Sequence, residues 1–458
     1  MVANMKAIVF FQLLALLIIC TNVQALDESD FKTEVVEVIR VADGDTLNVK
    51  FADNSEEVVR FLAIQAFEEH DNGTGDPDCN AEIATDRLAE ILGCDTDSDN
   101  CLSRPLVTLK VWDESLLDSS GKRLLRFVFI DDGNGGEINV GLQLVQEGYV
   151  LAWPQPEENF YNEDLWLAQQ NAMDNQRGPL WNSELSECHN PEHEDAQLDM
   201  WVNWDAPGND GQNLNGEWVK IKNIGPSEVD LSHWRVRDTG QQNPFQFPNG
   251  TILSAEETIT VYVGEGSNIG NTFYMNENYS IFDNNLPDGA YLLDYWGDSS
   301  RAGDIISSFT YPCLRDCSDP LQGKVRIKAN YDAEGDDSTN PNGEWVDIRN
   351  ISNEDVDLLK YRLQSDPVGS AIFNFDENSI IPPNETMRVY IGQSKSSSSL
   401  EKYWGNSTSI LSNSKDSVWL DTYDGILIDS DSWPVPPPPT VTGENVIPLI
   451  MPLILKEP

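Results

Sequence analysis

At 458 residues the chain is longer than one ordinary core, and its length predicts about three domains. Its 77 acidic residues against 29 basic ones leave a net charge of −48. Such a surface repels polyanions at long range, which weighs against tight nucleic-acid binding unless salt or calcium screens it. Hydrophobic residues still make up 40 % of the chain, with 13 Trp, 13 Tyr and 16 Phe, enough to bury several cores and to exclude a disordered chain.

Residues 1–25 read as a secretory signal. Lys6 precedes an apolar run from Ala7 to Cys20, and Val23-Gln24-Ala25 has the small residues of a cleavage site. The run falls short of the ~20 residues that span a bilayer. The expectation is a secreted, extracellular or cell-surface protein with no integral membrane span after signal cleavage. Removing the signal leaves Cys79, Cys94, Cys101, Cys188, Cys313 and Cys317. An even count in an exported chain points to disulfides. Cys313 with Cys317 and Cys94 with Cys101 are close enough to form local loops. Cys79 with Cys188 would then tie a helix start to the end of the first domain. Other connectivities remain open, as does a zinc site, although paired CxxC spacings are absent and the four histidines do not line up with the cysteines.

From about residue 30 to 190 the segments TEVVEVIRVA, TLNVKFA and EEVVRFLAI predict strands split by the turn signals ADGD and DNSE. AEIATDRLAEIL (81–92) carries apolar residues at helical spacing behind a cap-like Asp78. VTLKVWD and LLRFVFI predict two more strands, and VGLQLVQEGYV and EDLWLAQQNAMDNQRGPLW predict helices. Five strands with an interposed helix suit a small Greek-key barrel of the OB type with helices packed on it.

The chemistry concentrates in Val38–Glu68. Asp43 and Asp45 flank Gly44 at a hairpin turn, Arg60 lies in the following strand, and Glu68 comes eight residues later. Carboxylate oxygens beside a guanidinium are what calcium-assisted phosphodiester cleavage requires. Taken alone, DGD is a common turn and a strand arginine is usually a surface ion pair.

Residues 34–183 resemble the staphylococcal nuclease domain. The likeness runs in order through VIRVADGDTLNV, VRFLAIQAFE, the helix after Cys79, GKRLLRFVF, VGLQLVQEGYVLAW and AQQNAMDNQRGPLW. The resemblance implies that Asp45 binds Ca²⁺, with Asp43 as a supporting acid. It implies that Arg60 and Arg123 bind the phosphate and that Glu68 acts through water as general base or orienter. Arg123 assumes a one-residue insertion, without which Lys122 takes its place; the apolar register of Leu125, Phe127 and Phe129 supports Arg123, and a fork of donors suits a phosphate. The chain departs from the family at Gln65, where a second calcium-binding aspartate is expected. A neutral carbonyl there weakens a hard-cation site, and Glu69 and Asp71 are near enough in sequence to compensate. The implied activity is calcium-dependent hydrolysis of extracellular DNA or RNA. The alternative, which Gln65 and the charge favour, is a catalytically weak or inactive nuclease fold serving as a binding or adhesion protein.

After residue 196 the texture changes to short strands with many Gly, Asn and Asp, and it recurs. NGEWV at 215–219 returns at 342–346, VDL at 229–231 returns at 356–358, and AYLLDYWG (290–297) matches VWLDTYDG (418–425). A period this long means a duplicated domain, and the alternating strands predict β-sandwiches over 196–310 and 320–432. Both copies resemble the lamin tail domain, an immunoglobulin-like sandwich. In that family the tryptophans of NGEW and SHW would be core, and the second copy has Tyr361 where the first has Trp234. The resemblance implies a targeting or adhesion role toward a surface or polymer ligand. Residues 433–458 hold a polyproline spacer, PVPPPPT, and the apolar run VIPLIMPLIL, broken by Pro448 and Pro452. The prolines exclude an ordinary spanning helix and leave a frayed tail, an edge strand or a surface-retention tail. The fold class expected is mainly β and multidomain: an OB-fold barrel with helices, then two immunoglobulin-like sandwiches.

Overall fold

The computed structural model describes residues 28–68, 77–94, 100–193, 195–240, 244–297, 301–365, 371–393 and 398–433. The expected signal segment, Glu69, Asp71 and the polyproline tail lie outside the described residues.

The N-terminal unit contains β1 (Lys32–Asp43), β2 (Thr46–Lys50), β3 (Glu56–Phe61), β4 (Ile64–Gln65), α1 (Ala81–Leu92), β5 (Leu106–Val111) and β6 (Leu124–Asp131). It continues with β7 (Glu137–Asn139), α2 (Val140–Gln146), β8 (Leu151–Ala152), α3 (Asn162–Asp174) and α4 (Gly178–Trp181). The sheet runs β3-β2-β1-β5-β6, and a parallel pairing of β3 with β6 closes it into a five-stranded barrel. Val36, Val38, Leu47, Val49, Val59, Leu109 and Phe127 fill its interior, as the alternation along these strands requires. The β4–β8 ladder is two residues long, too short to show a sequence period. Helix α1 starts as expected, but not through Asp78. Its cap is Asn80 at φ 63°, with no side-chain capping bond. The Asp78 carboxylate instead accepts the Ala302 amide at 3.2 Å, a partner 224 residues away.

The first sandwich comprises β9 (Leu198–Asn203), β10 (Trp218–Asn223), β11 (Val229–Asp230), β12 (Arg235–Asp238) and β13 (Phe245–Gln246). It is completed by β14 (Ile252–Leu253), β15 (Thr258–Tyr262), β16 (Thr272–Tyr274), β17 (Asp288–Tyr295) and β18 (Ala302–Tyr311). Sheets β16-β15-β10-β9 and β13-β12-β17-β18 enclose a core around Trp234, Val219, Val261 and Leu292, with a β11–β14 ladder at the side. The second sandwich repeats this element by element: β19 (Val325–Asn330), β20 (Trp345–Asn350), β21 (Val356–Asp357), β22 (Tyr361–Ser365) and β23 (Ala371–Asn374). Then come β24 (Ile380–Ile381), β25 (Thr386–Tyr390), β26 (Glu401–Tyr403), β27 (Asp416–Thr422) and β28 (Leu427–Trp433). Its sheets are β19-β20-β25-β26 and β23-β22-β27-β28.

Trp218, Trp234 and Tyr361 are buried, and Tyr361 turns its hydroxyl to Asp319 at 2.9 Å. Trp345 departs from expectation. It is only half-buried, with the Arg388 guanidinium 4.3 Å from its ring centre. All three disulfides, Cys79–Cys188, Cys94–Cys101 and Cys313–Cys317, are formed. Among the described residues no helix is long and apolar enough to cross a membrane.

Each unit docks on the one before it through the β12–β17 sheet or its repeat. Phe67, Ala81, Leu151 and Leu180 of the barrel unit share one apolar cluster with Tyr291, Leu293 and Ala302 of the first sandwich. Gln169 donates to the Tyr291 hydroxyl at 3.0 Å, and Trp166 donates to the Pro312 carbonyl at 3.1 Å. Between the sandwiches, Trp201 and Trp218 pack on Leu359 and Tyr423, and Trp204 Nε1 donates to the Tyr423 carbonyl at 2.6 Å.

Candidate active site

The β1–β2 turn places Asp43 and Asp45. A Cβ on Gly44 between them would meet the Cβ atoms of Ala84 at 2.8 Å and Ala66 at 3.0 Å, so glycine is what lets α1 lie directly against the turn. Asp45 is 4 % exposed. Its Oδ1 accepts the Thr46 hydroxyl at 3.0 Å, and its Oδ2 accepts the Ala66 amide at 2.8 Å and faces Arg60 Nη2 at 2.9 Å. Burial pushes the Asp45 carboxyl well above its ordinary value; Arg60 opposes the shift and the adjacent Asp43 adds to it. Two carboxylates are thus held side by side.

Arg60 pairs with Thr46 across the β2–β3 ladder, which sets it beside Asp45. Its guanidinium is almost fully used within the protein. Nη1 donates to the carbonyls of Phe61 and Ile64, each at 3.0 Å, and Nη2 donates to Gln65 Oε1 at 2.9 Å. The β4–β8 ladder pairs Gln65 with Leu151. Gln65 Nε2 donates to the Ala66 carbonyl at 2.9 Å and to Glu68 at 3.4 Å. A guanidinium has only donors, so it fixes which end of the amide faces it: the Gln65 oxygen is turned to Arg60. Gln65 therefore bridges Arg60 to Glu68.

Arg60, Gln65, Glu68 and Arg123 line one cleft of about 820 Å³. Burial raises the Glu68 carboxyl, the Asp43 charge adds to that, and Arg60 and Arg123 oppose it. Arg123 stands at the cleft edge with its side chain 39 % exposed, and its Nε donates to Asp118 at 2.8 Å. Burial works against its charge, but the Asp118 carboxylate outweighs that and holds it protonated. Its two terminal nitrogens carry no partner among the described residues and are the donors open to a ligand. Asp43 and Asp45 lie beside the cleft rather than in its wall.

The far wall is made by the first sandwich, through Arg235, Gly240, Pro244 and Gln246, with Trp153 and Asp78 from the barrel unit. Sequence reasoning missed this wall. Trp153 was legible as part of the VLAW segment, but no local signal connects Arg235 to Arg60, because a separate domain brings it there. Three guanidiniums line the cleft against the carboxylates of Glu68, Asp78, Asp118 and Glu157, so its charge is mixed while the chain as a whole is strongly acidic.

The lamin tail domain family model matches residues 202–312 and again residues 320–434. No curated protein matches the chain.

Proposed function

We propose that this chain, which carries two lamin tail domains behind its barrel, is an extracellular nuclease. In this reading the barrel cleft hydrolyses phosphodiesters of DNA or RNA and the tail domains hold the enzyme at a surface or polymer. The observation that supports this is the convergence of Arg60, Glu68 and Arg123, from three separate segments, on one cleft beside the Asp43–Asp45 pair. The three disulfides accord with an oxidising, extracellular setting.

The donor chemistry fits calcium through Asp43 and Asp45. They are two hard carboxylates forced together, and a dication relieves their repulsion. Asp45 has Oδ1 for that role, since its Oδ2 serves Arg60 and the Ala66 amide, whereas the single Gln65 oxygen serves Arg60 and does not fit it. Held by Asp43 and Asp45, calcium would supply the charge that polarises the phosphate. The protein's own residues do the rest. Arg123 offers its open nitrogens to the phosphate, and Arg60, fixed by Asp45 and Gln65, presents charge without reorganising. Glu68 draws the proton from the attacking water. Its raised proton affinity brings it closer to the working pH, as a general base requires.

The test is cleavage of single-stranded DNA and RNA by the mature chain in calcium and then in chelator. Cleavage should vanish in chelator and fall by about 10²–10⁴ in Glu68→Gln. No cleavage at any calcium level by a normally folded chain overturns the proposal. The second reading, a nuclease fold reduced to binding, is favoured by the engagement of Gln65 with Arg60. Gln65→Asp decides how far that weakens the metal site: calorimetry should show calcium bound more tightly, and an unchanged affinity would remove Gln65 from it.

A further inference from the structure

The loops before β10 and β20 read DAPGNDGQNLNGEW (205–218) and DAEGDDSTNPNGEW (332–345), identical at nine of fourteen positions. Packing accounts for several of these identities. A Cβ on Gly216 or Gly343 would strike Ala206 or Ala333. Asn215 and Asn342 tie the loop to the carbonyls of Glu265 and Gln393 at 3.0 and 3.1 Å. Packing does not account for the glutamate. Glu217 and Glu344 are fully buried. One oxygen of each accepts backbone amides, of Ile281 at 3.2 Å in the first copy and of Ile410 and Leu411 at 3.3 and 3.4 Å in the second. The other oxygen, Oε1, is buried and has no hydrogen-bond partner among the described residues in either copy, and the same is true of Asp337 Oδ1.

A buried carboxyl oxygen without a partner is costly in either protonation state. Here the cost occurs twice, at equivalent positions. The charged neighbours make it worse: Asp210 and Asp288 act on Glu217, and Asp337 and Asp416 act on Glu344, every one of them an acid. Burial first, and then these acids, push Glu217 up to about 8 and Glu344 to about 7. A polar amide completes each group, with Asn284 donating to Asp205 and Asp210, and Asn413 to Asp332. A buried carboxylate with an unsatisfied oxygen and a second acid acting on it offers the hard oxygens that a divalent cation of the calcium type takes.

We propose that each lamin tail domain holds one such cation, ligated by Glu217 Oε1 with Asp210 in the first domain and by Glu344 Oε1 with Asp337 Oδ1 in the second. The cation crosslinks the loop to the segment that leads into β17 or β27, which supplies the amides, and lies near the acids Asp288 and Asp416 that open those strands. These two sites are independent of the barrel, and the experiment keeps them so. The full chain carrying Asp43→Asn and Asp45→Asn, which removes the barrel carboxylates, is titrated with calcium chloride by calorimetry. Two sites are expected. Glu217→Gln and Glu344→Gln should each remove one, and the double variant both, with circular dichroism checking the fold. If a glutamine variant does not fold, Asp337→Asn, at a partly exposed position, serves for the second domain, with loss of one site expected. Melting of the Asp43→Asn, Asp45→Asn chain provides a separate readout, with a higher Tm expected in millimolar calcium than in chelator. No binding and no Tm shift at millimolar calcium, or full stoichiometry in a folded double variant, overturns the proposal.

Discussion

Trp218 and Trp345 occupy the same position in the two tail domains, at the start of β10 and β20, yet their surroundings differ. Trp218 is 6 % exposed because the second domain closes over it, with Tyr423 meeting its ring edge-on at 5.3 Å. In place of a domain, Trp345 has Arg388 stacked over it and Tyr390 at 6.4 Å, and it stays half-buried. The repeat encodes one surface, and the order of domains along the chain decides whether that surface becomes interior. The docking strand is alike in both copies, since each buries an arginine against an aromatic ring of the preceding unit. Strand β12 meets an apolar barrel face, where Arg237 lies 5.0 Å over Phe67. Its repeat β22 buries Arg362 between Trp204 of the first tail domain and Tyr423.

The largest break in this comparison is Trp218→Ala, which should cost about 4 kcal/mol as a buried aromatic is emptied from a closed interface. Trp345→Ala should cost about 1 kcal/mol, since the transfer term alone is lost from a half-exposed site. Denaturant unfolding of the two variants measures the contrast directly, and equal costs would mean that the second domain does not cover Trp218.

Arg362→Leu comes next, at about 3 kcal/mol, because it leaves the buried Asp421 without its counter-charge and with the Gln364 amide alone donating to it among the described side chains. The effect should depend on pH. Burial raises Asp421 to about 6 despite Arg362, which lowers it. The folded carboxyl thus keeps its proton to a higher pH than the unfolded one, so its contribution to stability falls as pH rises from about 4 to about 6. Removing Arg362 raises that carboxyl further. The variant should therefore lose most at pH 7 and least at pH 5, where Asp421 is protonated in its folded state. A cost independent of pH would show that packing against Trp204, and not the ion pair, is what Arg362 supplies. Lys360→Ala should have the smallest effect, under about 0.5 kcal/mol. Its pair with Asp199 crosses the same interface, but the lysine is 47 % exposed and screened.

Much of the barrel could be read from the chain because its strands are local β-branched runs split by turn residues, and α1 has a clear helical period. The β4–β8 ladder could not, since two residues carry no period, although it is what orients Gln65. Among the candidate site residues, the grouping of Asp43, Asp45, Arg60 and Glu68 was legible, because hairpin pairing keeps them close. What could not be read was how they would divide the work. Gln65 stood out in the sequence as a weak calcium ligand, and in three dimensions its oxygen belongs to Arg60 and its nitrogen to Glu68. Asp78 looked like a helix cap and instead ties the barrel unit to the first tail domain.

By itself the sequence determined the three-unit order, the barrel and sandwich classes, the duplication and the residues able to carry chemistry. These follow from periodicity, turn residues and repeated motifs, which are short-range properties of a chain. Tertiary structure alone decided that the first tail domain walls the cleft with Arg235 and Gln246, that Trp218 is interior while Trp345 is not, and that Oε1 of Glu217 and of Glu344 has no partner among the described residues. Each of these depends on contacts between residues far apart in the chain, where burial and charge are set by neighbours that no local pattern names.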